Sequence, residues 1–230
     1  MKSWLLTLFI LLVFTGTTLA QTNTDFIRAM DSYRSNKMAG SGVKELTLDD
    51  ITGSPYLVDD FINGSVFTNS EIEYLDIPLR YNIYSDAMEF KTEKNEVLLL
   101  DTPEMVKKIE FGEYKMVYAP FSESKKIQRG YFIVLEEGKV SLYTKPKIEF
   151  IKATLPAAYQ EATPAKFERK PDSFYARVGM DEAKLIENKK DLLEIIPDQK
   201  EKLEEFIKLK KTKFNKAESL TELIRYYNSL

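Results

Sequence analysis

The chain has 230 residues, 43% of them hydrophobic and 12% aromatic, with 33 basic and 36 acidic side chains and a formal net charge of -3. Cysteine and histidine are both absent, which excludes disulfides, a Ser-His or Cys-His nucleophile pair, a zinc or copper site of the usual ligands, and a histidine pH switch. The balanced charge offers no basic stripe for nucleic acid, the apolar content argues against disorder, and calcium is the one metal the remaining oxygen donors suit.

The first element is a leader. Lys2 precedes an apolar run from Trp4 to Phe14, and Thr18-Leu19-Ala20 supplies the small residues of a cleavage site. That pattern predicts a secretory signal peptide over 1–20, cut before Gln21. The run is shorter than the roughly 20 residues that span a bilayer. No second such run follows, so the mature chain is expected to have no transmembrane segment. No cysteine stands at the cleavage site to take a lipid. Losing Lys2 shifts the formal charge from -3 to -4. About 210 residues then remain, enough for one sizeable core or two small ones.

Residues 21–52 read as an N-terminal leader into the fold. A short helix is expected over 25–33, where Phe26, Ile27, Met30 and Tyr33 recur at helical spacing. A loop follows at 35–42, and Leu46 and Leu48 alternate with polar neighbours as in a short strand.

Residues 53–151 read as an antiparallel β domain. Strands are expected at 64–68, 77–84, 87–92, 97–100, 106–111, 114–119, 131–135 and 140–144, separated by turn residues such as Ser85-Asp86, Gly112-Glu113 and Glu137-Gly138. Such short connections favour antiparallel neighbours, because a parallel pair needs a long crossover. Met88-Glu89-Phe90, Ile109-Glu110-Phe111 and Ile148-Glu149-Phe150 share one pattern, two apolar residues around an outward Glu. It is either an internal repeat or the ordinary signature of a strand with one buried face.

Residues 152–172, with three prolines, read as a connection. Residues 173–187 read as a hairpin around Gly179-Met180-Asp181. The period then changes from two to 3.6. Asn188 is placed to cap a helix through Ile196, Pro197 and Asp198 to open a second, and Asn215 with Glu218 to start a third. Leu203, Phe206 and Ile207 form one apolar stripe, and Leu220, Leu223, Ile224 and Tyr227 the other. Residues 173–230 are thus a hairpin plus helices packed on the sheet. The fold class is α+β: an antiparallel β-meander, open or curled into a roll or partial barrel, with C-terminal helices.

Few patterns carry chemistry. Ser122-Glu123-Ser124-Lys125 fits S-x-x-K, but the partner motifs of penicillin-binding enzymes are missing and it lies in a loop between strands. Asp49-Asp50 and Asp59-Asp60 lack the spacing of a calcium loop. No pair among the 36 acids is singled out as a glycosidase pair. Catalytic, metal and cofactor residues are therefore assigned to none. The candidate contact face has two parts. In LRYNIYSDAMEF (79–90), Leu79, Tyr81 and Ile83 take one side of a strand, leaving Arg80, Asn82 and Tyr84 as a polar and aromatic row on the other. That row is either a surface that grips a sugar or peptide, or the wet side of a half-buried sheet. Lys208, Lys210, Lys211 and Lys213 form a basic cluster, a contact for anionic lipid or glycan or a dipole-matched helix end.

Three stretches together, residues 53–66, residues 78–90, and the C-terminal run DLLEIIPDQKEKLEEFIKLKKTKF with LIRYYNSL, resemble a group of uncharacterised signal-peptide-bearing proteins of Bacteroidota. The resemblance covers most of the mature chain and implies the envelope of a diderm bacterium, with no catalytic residue and no site. The C-terminal helix, in place of a sorting domain, points to the periplasm over the exterior. The expected function is an exported, non-enzymatic envelope protein, a protein-interaction or binding module with an envelope protein as partner. The alternatives are a carrier of lipid or another small apolar ligand, and a carboxylate-dependent hydrolase.

Overall fold

Apolar and polar residues alternate through most of the middle of the chain, and ten strands form from that pattern. The computed structural model describes residues 51–123, 126–153 and 163–230, all within the compact unit Thr47–Leu230. The leader, the helix expected over 25–33, the loop at 35–42, Leu46 and Leu48, and Asp49-Asp50 lie outside the described residues, as do Ser124 and Lys125.

The strands are β1 (Ile62–Thr68), β2 (Glu73–Asn82), β3 (Ala87–Lys91), β4 (Val97–Leu99), β5 (Val106–Phe111), β6 (Tyr114–Glu123), β7 (Lys126–Glu136), β8 (Val140–Ile151), β9 (Lys166–Val178) and β10 (Ala183–Leu185). All sequence-adjacent pairs in the ladder are antiparallel. The spatial order is β10-β9-β8-β7-β6-β5-β1-β2-β3-β4. The sheet is not a simple meander, because β1 lies between β2 and β5. After β4 the chain returns through a 3-10 turn, Pro103–Met105, and Asn69 anchors this return with bonds to Glu104 O and Met105 O.

One end of the sheet closes. β10 pairs antiparallel with β9 and parallel with β6, setting Ala183 opposite Phe121. β6 to β10 thereby form a closed five-stranded barrel. Its interior holds Ala119, Phe121, Phe132, Tyr143, Tyr175 and Ala183. The rings of Phe121, Phe132 and Tyr175 meet edge to face at centroid distances of 5.2–5.7 Å. Large rings opposite alanines fill so narrow a barrel with side chains.

Three helices cover the barrel's outside: α1 (Lys189–Ile195), α2 (Lys200–Lys210) and α3 (Ala217–Asn228). Leu192, Ile196, Leu203, Leu220, Leu223 and Ile224 bury their side chains against Val140, Leu142, Phe174 and Ala176. Each such leucine contributes about 1.5–3 kcal/mol of burial. A third core lies under β1, β2, β3 and β5, where Leu79, Tyr81, Met88, Ile109, Phe111 and Tyr131 meet. Ile148, Phe150 and Phe167, at the far ends of β8 and β9, also reach it, so the sheet curls over on itself. Among the described residues, no helix is long and apolar enough to cross a membrane.

Several boundaries differ from expectation. Residues 166–172, expected as connection, belong to β9, which pairs with β8 almost throughout and makes the C-terminal hairpin part of the same sheet. The hairpin turn at Gly179 and the Asn188 cap are as expected. Asn188 Oδ1 accepts from the Lys190 and Asp191 N–H groups, and Asp191 reciprocates to the Asn188 N–H. α2 starts later than expected, after Gln199 in a left-handed conformation. Pro197 instead ends α1, as a proline just past a helix C-terminus does. α3 follows Lys216 with no side-chain cap. Within it, Ser219 Oγ accepts from the Lys213 N–H.

Candidate functional site

The β2–β3 hairpin carries LRYNIYSDAMEF. Leu79, Tyr81, Ile83 and Met88 are buried on one face, as alternation requires. The residues between Gly53 and Phe61 return beside the end of β2. Tyr56 bridges to Asn82, the Leu57 N–H donates to Tyr81 O, and the Ile83 N–H donates to Pro55 O. This segment's Tyr56 and Phe61 rings and its Asp59 carbonyl reach over the other face of β2.

Arg80 is held beneath these groups. Nε and Nη2 donate to Glu89 Oε2 at 3.0 and 2.6 Å, Nη2 also to the Tyr56 hydroxyl at 3.1 Å, and Nη1 to Asp59 O at 3.1 Å. Its guanidinium lies 3.7 Å from the centre of the Tyr56 ring and 4.3 Å from that of Phe61. Glu89, expected to point outward, is only 7% exposed. A carboxylate can sit there because Arg80 meets it with a planar fork. Asn82 Nδ2 adds a long contact to Glu89 Oε1 at 3.4 Å, while Asn82 Oδ1 accepts from the Ser85 N–H. Burial and the Glu89 charge raise the Tyr56 phenol above its ordinary pKa, against a lowering by Arg80. Tyr84 parts from the row. It lies beyond the end of β2 and sets its ring edge-on to Phe167 at 5.3 Å and Phe150 at 6.3 Å. Of the predicted row, Arg80 and Asn82 stay together in an internal polar clamp and Tyr84 joins the core.

The turn between β2 and β3 makes a second polar knot. Asp86 has a left-handed backbone, φ 51°. Its Oδ1 accepts from the Tyr81 hydroxyl at 2.6 Å and the Tyr131 N–H at 3.2 Å, and its Oδ2 from Lys145 Nζ at 2.7 Å. Lys145 Nζ also donates to Tyr131 O and lies 4.9 Å from the centre of the Phe132 ring. Gly130 leaves room for this pair, since a Cβ there would fall 2.5 Å from Asp86 Oδ2 and 2.7 Å from Lys145 Nζ. Burial first, and Asp86 next, push the Tyr81 and Tyr131 phenols upward. Lys145 is thus a bonded cation, and the knot joins the hairpin to the barrel.

The lysine cluster sits at the end of α2. Lys208 and Lys210 occupy the last turn, and Lys211 takes the left-handed capping position. Lys210 pairs with Glu222 at 2.7 Å. Lys213 is exposed. Positive charge in this place complements the helix dipole. The cluster and the Arg80 clamp lie on different elements, and no described contact joins them. Asp59 is tied to the Ser54 hydroxyl. Among the described residues, no group of three acidic, histidine or cysteine side chains is arranged to hold a metal.

An apolar cleft of about 310 Å³ opens on the core-facing side of the sheet, lined by Val66, Tyr74, Leu79, Phe90, Leu100 and Met105 among others. It lies where β2 runs on beyond the end of β3, so that the return from β4 forms the far wall. In the same stretch of chain, large apolar side chains remain in solvent. Of the twelve such residues among those described, seven fall between Ile72 and Met105. Tyr74 and Met105 line the cleft at 50% and 57% exposure. No family model, curated protein or solved structure matches this chain. The cleft and its rim therefore stand on their own geometry. No motif in the sequence singles them out; the one signal is Val97-Leu98-Leu99-Leu100, an apolar run with no polar alternation.

Proposed function

We propose that this chain is an exported envelope protein that acts by binding another protein, with the apolar end of the sheet as its contact surface. The observation that carries the reading is the apolar cleft itself, with exposed Tyr74 and Met105 in its wall and exposed Leu98 on the same face beside Phe90. Scattered exposure is ordinary, whereas a contiguous patch marks an interaction site. The leader pattern and the resemblance to proteins of Bacteroidota support a setting in the envelope, with the periplasm favoured. Arg80 and Asn82, expected as part of a contact face, have their polar atoms engaged within the fold, so the proposed surface moves to Tyr74 and Met105. A carrier would need an apolar void inside the barrel, and the rings of Phe121, Phe132, Tyr143 and Tyr175 occupy that space.

The test is site-specific photocrosslinking in living cells of the native host. A photoreactive residue replaces Met105 in one strain and Lys190, on α1, in another. The expected result is one envelope protein attached at position 105 and absent at 190. Equal labelling at both positions, or none at 105, overturns the reading.

A further inference from the structure

Barrel closure pairs the last strand at one end of the ladder, while the strand at the other end has a partner on one side only. β10 has partners on both sides, so it presents no open edge. β4 is paired with β3 only and is the terminal strand of the ladder at this end. Natural edges are guarded by lysines, prolines, bulges or an overlying segment. β4 is Val97-Leu98-Leu99, exposed at all three positions, and its shortness is its only guard. Apolar residues on both faces are the pattern of a strand inside a sheet, not of one at its rim.

The backbone fixes what can pair there. The Leu100 N–H donates to Met88 O, and Glu96 O accepts from the Thr92 N–H. The backbone groups of Glu96 and Leu100 thus turn toward β3. Directions alternate along a strand, so those of Leu98 turn the same way, and Val97 and Leu99 turn their N–H and C=O groups outward. A strand added antiparallel must match those outward groups with its own. A second copy of β4 does so about a two-fold axis through Leu98, where Val97 of each copy exchanges both bonds with Leu99 of the other. Shifting the register by two residues sets Glu93 against Asp101 in one direction and Val97 against Asp101 in the other. The centred register alone sets the three apolar residues wholly against three apolar residues, with Asn95 facing Asp101. Leu98 shares a face with its partner Phe90 and with Leu100, both in the cleft wall. The apolar rim is therefore continuous with the edge. Val97, Leu98 and Leu99 are each about half exposed, so pairing β4 with a second β4 would remove apolar surface from water on both faces of the joined sheet.

We infer that β4 is the interface of a symmetric dimer, in which two copies of this chain join edge to edge, antiparallel about Leu98, into one continuous sheet. The inference rests on the same apolar end as the proposed function but not on the identity of an envelope partner. A two-fold contact of this kind uses one patch twice and closes, so it yields dimers and not fibres.

The absence of cysteine makes the test direct. Opposed residues in a non-hydrogen-bonded antiparallel pair have Cα atoms about 4.5 Å apart, within the roughly 4.4–6.8 Å that a disulfide spans. The purified chain beginning at Gln21 would be prepared as Leu98→Cys, Val97→Cys, Leu99→Cys and, as an exposed control on α2, Leu209→Cys. Under mild oxidation Leu98→Cys should form covalent dimer at least tenfold faster than Val97→Cys or Leu209→Cys alone. A mixture of Val97→Cys and Leu99→Cys should crosslink as a heterodimer. Sedimentation of the unmodified chain at rising concentration should approach twice the monomer mass, and Leu98→Lys should return it to monomer with its circular dichroism intact. A chain that stays monomeric at high micromolar concentration, with Leu98→Cys no faster than Leu209→Cys, overturns the dimer. Capture of an envelope protein at position 105 beside that result would leave the proposed function standing, and a dimer with no such capture would do the reverse.

Discussion

At the scale of single residues, the polar groups in this protein that look most reactive are the ones that hold it together. Asp86 receives three hydrogen bonds, from Tyr81, Tyr131 and Lys145, and ties the β2–β3 hairpin to the barrel. Removing it leaves a buried phenol without its acceptor and a mostly buried ammonium with only the Tyr131 carbonyl. Stranded donors of this kind cost more than the bond itself was worth. Asp86→Ala is expected to lower stability by about 3 kcal/mol, and Asp86→Asn by less, since an amide keeps an acceptor oxygen and tolerates the left-handed backbone. Gly130→Ala probes the same knot from the other side by driving a methyl group between carboxylate and ammonium. Urea denaturation checks all three. Midpoints of Asp86→Ala and Gly130→Ala that match the parent would mean that the Asp86–Lys145 pair contributes nothing.

At the scale of elements, helix entry is the feature most open to a stability test. Asn188 accepts two backbone N–H bonds at the start of α1, and Asp191 closes the box. Asn188→Ala is expected to cost about 1 kcal/mol, while Asn215→Ala, one residue outside the Lys216 cap position, should change little. Equal effects of the two in thermal melts would contradict the assigned caps. This pair also marks what a sequence can disclose. Asn188 with Asp191 three residues on is a local signal, and so are the strands and the stripe Leu220, Leu223, Ile224 and Tyr227. Asn215 with Glu218 looks equally good, but α3 starts a residue later, after Lys216. Non-local pairings are hidden. Nothing near Glu89 says that residues 53–61 will return to cover it, so a lone Glu between apolar neighbours reads as outward. Asp86 reads as a turn residue because Lys145 is 59 positions away. The insertion of β1 between β2 and β5, and the closure of β10 onto β6, depend on the path of the connections, which no local pattern encodes. The rim of the cleft is illegible for a different reason: apolar residues are ordinarily assigned to a core, and only the fold shows that these have none above them.

At the scale of the whole molecule, three cores share one sheet, and buried tyrosines report on more than one of them. Tyr175 lies inside the barrel, where burial chiefly, with Glu123 and Glu187, pushes its phenol up to about 12. Tyr227 lies under the helices and donates to Asp198, and burial with that carboxylate likewise pushes it up to about 12. In the unfolded chain both titrate near the ordinary 10.0. Above that value the unfolded state binds fewer protons than the folded state, so stability must fall as pH rises. Below it the two states bind alike, and the full contribution is present. The expected outcome is a urea midpoint level between about pH 7 and 9 that drops progressively from about 10 to 12. Tyr227→Phe keeps the ring buried and removes one titrating group, so it should make that drop shallower. If the sheet binds barrel and helices into one cooperative unit, the shallower slope will appear in barrel and helix probes alike, because both titrations then bear on a single transition. A slope altered only in the helix signal would mean that the helical layer comes away from the barrel before the barrel opens.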